Sequence, residues 1–215
     1  MRNQYQEREP VASLVLYHLF KWSVVSPLLY TYFRGRVHGA ENVPAKGPLV
    51  IVSNHASYFD PPLLSCAVRR PVAFMAKEEL FRIPILKQAI QLYGAYPVKR
   101  SLSDRAALRA AINSLKEGWT VGIFLEGTRT KDARIHNPKL GAAMIAAKAK
   151  VPLLPVSLWG TEKILRKGAN LPRSVPVTIR IGKPIDPPSS NHRQELEAIT
   201  EKCAVIINNM HDLGR

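Results

Sequence analysis

Cysteine is nearly absent: Cys66 and Cys203 are the only two in 215 residues. Thiols so far apart in the chain make neither a disulfide framework nor a CxxC pair. This fits a reducing compartment and argues against a cysteine-based zinc site. Acidic residues are also scarce, with Asp plus Glu at 16 against Lys plus Arg at 31. Several motifs are missing as well. The chain has no GxSxG elbow, no P-loop ending in Gly-Lys-Ser or Gly-Lys-Thr, no GxGxxG and no HExxH. Serine-hydrolase, P-loop and dinucleotide readings therefore lack support. There is no internal repeat, low-complexity tract or interdomain linker. Residues 1–10 are polar, with Arg2 and Arg8 balanced by Glu7 and Glu9, and lack the positive start of a secretory signal.

What is present is a globular composition, 46% hydrophobic and 22% charged. It excludes a disordered tail, a collagenous fibre and a polytopic membrane protein. The length suits one domain, or one domain plus an anchor. The net charge of +15 points to polyanions: nucleic acid, an anionic membrane surface or phosphorylated substrates. Between Ala133 and Ile185 there are ten Lys/Arg and one acid, Glu162. A solvated basic face explains that run equally well.

Residues 11–33 form the longest apolar stretch, carrying one formal charge, Lys21, together with His18. The stretch is long enough to span a bilayer. However, Lys21 lies near its middle, Pro27 interrupts it, and Tyr17, Trp22, Tyr30 and Tyr32 favour interfaces. The expectation is an apolar membrane-associating helix, or a broken pair, lying in one leaflet. A buried core helix is the alternative. Arg34 and Arg36 follow, and if the stretch spans they would place the rest of the chain on the cytoplasmic side. The organisation expected is an anchoring segment at 1–35 and an α/β domain at 36–215.

From Val37 onward strands alternate with helices. Short apolar runs at residues 49–52, 72–75, 95–98, 121–125, 153–158 and 175–181 read as strands. Helical patterns cover residues 103–118, 141–150 and 193–210. The alternation predicts an α/β fold, a single mixed β-sheet wrapped by helices.

Chemistry-bearing residues fall at successive strand ends. His55 and Asp60 follow the first run in Asn54-His-Ala-Ser-Tyr-Phe-Asp60. A continuous helix would turn them well apart, so cooperation requires a loop between them. Asp60 precedes Pro61 and reads as the N-cap of a helix starting there. One carboxylate oxygen could cap that helix while the other takes the His55 Nδ1 proton, leaving Nε2 as a base. A solvated histidine beside a capping aspartate fits the same letters. Lys77 follows the second run, and Lys99 and Arg100 follow the third. Glu126-Gly127-Thr128-Arg129 follows the fourth. Arg129 offers a planar fork suited to phosphate. Glu126 could orient Arg129, accept from a substrate hydroxyl, or form a structural ion pair. A base with an aspartate partner beside several cations, gathered on one rim, suggests a transferase site.

These blocks resemble the membrane glycerolipid acyltransferases, most closely the 1-acylglycerol-3-phosphate acyltransferases. The first block is the histidine–four residues–aspartate motif, His55 and Asp60. The second is Gly94-Ala-Tyr-Pro-Val-Lys-Arg100. The third is Phe124-Leu-Glu-Gly-Thr-Arg-Thr130, with Leu125 and Thr130 where the family usually has proline and serine. The fourth is Val151-Pro-Leu-Leu-Pro-Val156. The resemblance implies His55 as general base oriented by Asp60. It implies acceptor binding by Arg100 and Glu126 to Arg129, and an acyl-carrier-protein or acyl-CoA donor. It implies a lysophosphatidic acid acceptor, with no metal and no cofactor. A monomer on a membrane lipid surface, without nucleic acid, is expected. Two alternatives are another lyso-lipid or glycerol-3-phosphate as acceptor, and a non-catalytic basic protein that binds membranes or nucleic acid.

Overall fold

The computed structural model describes residues 11–77, 96–98, 104–165 and 171–215. It contains a mixed sheet between two helical layers. The strands are β1 (Arg36–His38), β2 (Leu49–Ser53), β3 (Val72–Lys77), β4 (Tyr96–Val98), β5 (Thr120–Phe124), β6 (Leu153–Trp159) and β7 (Thr178–Ile181). Their spatial order is β1-β7-β6-β2-β5-β3-β4. The β6–β7 pair is antiparallel and every other neighbouring pair is parallel. The C-terminal ends of β6, β2, β5, β3 and β4 therefore share one rim.

The helices are α1 (Val11–Phe20), α2 (Asp60–Val68), α3 (Asp104–Lys116), α4 (Gly141–Ala149) and α5 (Arg193–Asp212). Central strand β2 is buried along its whole length, as its unbroken apolar run requires when both faces are covered. Its side chains alternate between two cores. Leu49 and Ile51 join α2, Val25, Leu29 and Phe33 on one face. Val50 and Val52 join Ala111, Leu115, Ile145, Cys203 and Ile207 on the other. Burial pushes the Cys203 thiol up to about 12, so it acts as packing and not as a nucleophile.

Three sequence expectations are corrected. Strand β1 goes unpredicted, because three residues with two basic ends make no apolar run. The run at 175–181 yields a strand only from Thr178. Pro176 has no N–H to give to a ladder, while Val177 instead pairs with the N-terminal segment through Phe33 O and Arg36 N. Pro27 does not break its helix. Two π-helical stretches, Lys21–Val25 and Leu28–Tyr32, flank Ser26 and Pro27. The wider turns absorb the missing donor.

Among the described residues no helix is long and apolar enough to cross a membrane. The N-terminal segment is two-faced. Tyr17, Val25, Leu29 and Phe33 are buried, and Tyr17 donates to Ser65 O on α2 at 2.8 Å. Val15, Leu19, Phe20, Trp22, Val24, Tyr30 and Tyr32 are exposed. Lys21 lies buried, its ammonium 5.7 Å from the Tyr17 ring centroid and 5.3 Å from that of Trp22. Burial holds its pKa below the usual lysine value.

Candidate active site

The turn between β2 and α2 brings His55 and Asp60 together. His55 Nδ1 lies 2.7 Å from Asp60 Oδ2. The same oxygen accepts the backbone N–H groups of Ala56 and Ser57, each at 2.7 Å. An oxygen already accepting two N–H bonds meets a third partner as an acceptor too. Nδ1 therefore donates, and the lone pair lies on Nε2. Among the described residues no hydrogen-bond partner meets Nε2. Asp60 is fully buried, whereas His55 is 17% exposed at its side chain. Asp60 Oδ1 has no donor among the described residues. The carboxylate's hydrogen bonding is thus concentrated on the edge facing His55.

The capping expectation fails in a definite way. Helix α2 begins at Asp60, with Phe59 as N-cap, and the Asp60 side chain does not cap it. Pro61 and Pro62 have no N–H to be capped, and the Leu63 N–H already donates to Phe59 O. The carboxylate instead turns back onto the loop that carries His55.

Packing fixes the ring as firmly as hydrogen bonding does. The imidazole stacks on Phe124 at 3.9 Å between centroids and 11° between planes. Phe124 in turn stacks on Phe74 at 5.4 Å. Gly122, paired with Phe74 across β5 and β3, makes room for this column. A Cβ there would fall 2.3 Å from Phe74 Cε1. The His55 carbonyl accepts the Thr130 N–H at 2.8 Å. Beneath it, buried Asn54 donates to Leu158 O and Ala133 O at 2.8 and 2.6 Å, and accepts from Leu158 N at 2.8 Å. One amide thus ties the β2 end to β6 and to the loop after β5.

That loop carries the other candidate residues. Gly127 has φ +70°, the left-handed conformation that reverses the chain after Glu126. Gly127, Thr128 and Arg129 are exposed. Arg129 lies over the Tyr58 ring at 3.6 Å and donates to the Tyr58 hydroxyl at 2.9 Å. Glu126 does not hold Arg129. Its Oε1 accepts the backbone N–H groups of His136 and of Asn137, the latter at 2.6 Å. Lys77 ends β3 on the same rim. Lys99 and Arg100 lie outside the described residues. No group of three or more potential metal ligands occurs among the described residues. A cleft of about 440 Å³, lined by His136, Lys139, Glu197 and Glu201 among others, does not include His55.

Sequence reading missed Asn54, Phe74, Gly122 and Tyr58. Gly122 inside an apolar run was the one available signal, since glycine in a strand marks a close approach. Asn54 showed nothing beyond its place before His55.

A buried aspartate thus holds a histidine at a parallel-sheet rim, with an arginine on the next loop, an arrangement suited to moving a proton beside an anion. In comparison with known proteins, the family described as Acyltransferase matches residues 34–159. The chain belongs to the 1-acyl-sn-glycerol-3-phosphate acyltransferase family. It is 32% identical to the 1-acyl-sn-glycerol-3-phosphate acyltransferase of Bacillus subtilis over 77% of this chain and 82% of the relative. It is 36% identical to the chloroplastic enzyme BAT2 of Brassica napus, over 69% of this chain and 43% of the relative. The chain thus spans less than half the length of that plant protein. The crystal structure of the 1-acyl-sn-glycerophosphate acyltransferase PlsC from Thermotoga maritima superposes with a TM-score of 0.76 and 33% identity. That match covers 92% of this chain and 79% of that one.

Proposed function

We propose that the chain transfers an acyl group from an acyl thioester, on a carrier protein or coenzyme A, to the free hydroxyl of 1-acyl-sn-glycerol-3-phosphate. The product is phosphatidic acid. The observation that carries this reading is the 2.7 Å contact of His55 Nδ1 with Asp60 Oδ2, which leaves Nε2 available as a base. Nε2 takes the hydroxyl proton as the oxygen attacks the thioester carbon. The tetrahedral adduct collapses, the carbon–sulfur bond breaks, and the leaving thiolate takes the proton from the imidazolium. Asp60 holds the ring and balances its transient charge. No covalent acyl-protein forms. Arg129 binds the acceptor phosphate as a charge-assisted fork, helped by Lys77, Lys99 and Arg100 from neighbouring strand ends. Glu126, Gly127 and Thr128 shape the loop that presents it.

The acceptor is tested by offering lysophosphatidate, glycerol-3-phosphate and a zwitterionic lysophospholipid together with one donor, and identifying products by mass spectrometry. Phosphatidate should dominate. Preferential acylation of either rival would reassign the acceptor within the same chemistry.

The protein works seated on the cytoplasmic leaflet, with residues 1–35 as its anchor, through the exposed face that includes Leu19 and Trp22. Tyr17, Leu29 and Phe33 belong to the core, so anchoring is best probed by surface changes and not by deletion. Leu19→Asp with Trp22→Asp should lower partition into anionic vesicles by more than about tenfold, since each apolar side chain contributes about 1.5–3 kcal/mol when buried. Unchanged sedimentation of the folded variant would move anchoring to the basic face.

A further inference from the structure

We infer that Asn208, on α5 and beyond the stretch that carries the family match, is a positioning residue for the acceptor-binding loop. The inference rests on the acyl-transfer reading. The segment after Arg129 runs to α4 without regular structure, yet it is held at each step. Ala133 adopts φ +58°, a left-handed conformation unusual for a side-chain-bearing residue, so its surroundings must impose it. Asn54, next to His55, holds the Ala133 carbonyl. Glu126 holds the His136 and Asn137 N–H groups. Between these two anchor points lies Ile135, buried in the same core cluster as Ile207 of α5.

Both main-chain polar groups of Ile135 depend on Asn208. Its Oδ1 accepts the Ile135 N–H at 3.0 Å, and its Nδ2 donates to the Ile135 carbonyl at 2.9 Å. A single amide thus does for this residue what a neighbouring strand would do, and no regular structure replaces it. Arg134 also reaches α5 through a two-point pair with Asp212, which is exposed and so weakened by salt, whereas the Asn208 contacts are part-buried. The chain Asn208–Ile135–Ala133–Asn54 ends beside His55. The Thr130 N–H, bonded to the His55 carbonyl, lies on the same loop. Loss of the Asn208 amide frees the middle of this loop, and with it the placement of Arg129. The His55–Asp60 contact keeps its own local bonds.

Two variants test this. Asn208→Ala removes the amide. Leu196→Ala hollows the core on the same helix, twelve residues and so about 18 Å away. Both are assayed well below their unfolding midpoints, alongside amide hydrogen exchange. Asn208→Ala should raise KM for lysophosphatidate about tenfold and change kcat far less, the pattern of lost binding placement. It should also speed exchange at Thr130, Ile135 and His136. Leu196→Ala should leave KM and those amides unchanged. Asn208→Asp, which keeps the acceptor but loses the donor, should resemble Asn208→Ala. An unchanged KM in Asn208→Ala, or an equal rise in Leu196→Ala, overturns the inference. Should the wild-type protein make no phosphatidate, the acyl-transfer reading fails by itself. The exchange comparison then decides the coupling of α5 to the loop: unchanged Thr130 and Ile135 amides in Asn208→Ala overturn it.

Discussion

Replacing His55 with alanine is expected to lower the rate of phosphatidate formation by about 10²- to 10⁴-fold, the range that a positioned general base supplies. That is about 3–5 kcal/mol of transition-state stabilisation. On the proposed mechanism the loss should fall on kcat, because His55 would act on the proton that moves in the transition state while Arg129 would supply the ground-state grip on phosphate. The ring also stacks on Phe124, so a melting curve must accompany the assay. A folded variant with near wild-type kcat would remove His55 from the chemistry.

Asp60→Asn should cost a similar factor, roughly 10²- to 10⁴-fold, for a different reason. An asparagine oxygen placed where Oδ2 now sits could still accept from Ala56, Ser57 and His55. Its amide nitrogen would then occupy the Oδ1 position, which is buried and has no partner among the described residues. The charge that balances the imidazolium would be gone. In the opposite rotamer the NH₂ would face two N–H donors and the imidazole, and the tautomer of His55 would be wrong. The first arrangement weakens Nε2 as a base and the second disables it. The two residues act as one unit, so the double variant should be no slower than His55→Ala alone. Rate losses that multiply would show that Asp60 has a separate role. Rates at saturating lysophosphatidate for the two single variants and the double variant decide this.

Much of the architecture could be read from the letters because the central strands carry their own signal. Leu49 to Val52 is an unbroken apolar run, and only a strand covered on both faces buries all of it. The placement of polar residues after such runs located the rim, since parallel strands all end on one side. What the letters concealed was pairing that depends on the third dimension. The Asp60–Pro61 dipeptide looks like a helix cap, but two consecutive prolines leave the carboxylate nothing to cap, and it turns to His55 instead. Glu126 and Arg129, one turn apart in sequence, look like partners. A left-handed Gly127 separates them, sending Glu126 to backbone amides and Arg129 to Tyr58. Asn54 and Asn208 hold main-chain groups of distant residues, 79 and 73 positions away. No local pattern announces such contacts. The N-terminal segment shows the same limit: its apolar letters do not say which side chains face the core. The structure divides them into Tyr17, Leu29 and Phe33 inside and Leu19, Trp22 and Tyr30 outside.

The most direct test of the account is a stoichiometry. Purified wild-type protein in lipid vesicles is given an acyl thioester, with and without lysophosphatidate. Free thiol, phosphatidate and acylated protein are then measured in the same samples. Direct attack by a hydroxyl activated at His55 predicts thiol release only when the acceptor is present, one phosphatidate per thiol, and no acyl group on the protein. Thiol release without acceptor, with an acyl group left on the chain, would contradict the mechanism. Folded protein that yields no phosphatidate would contradict the activity itself.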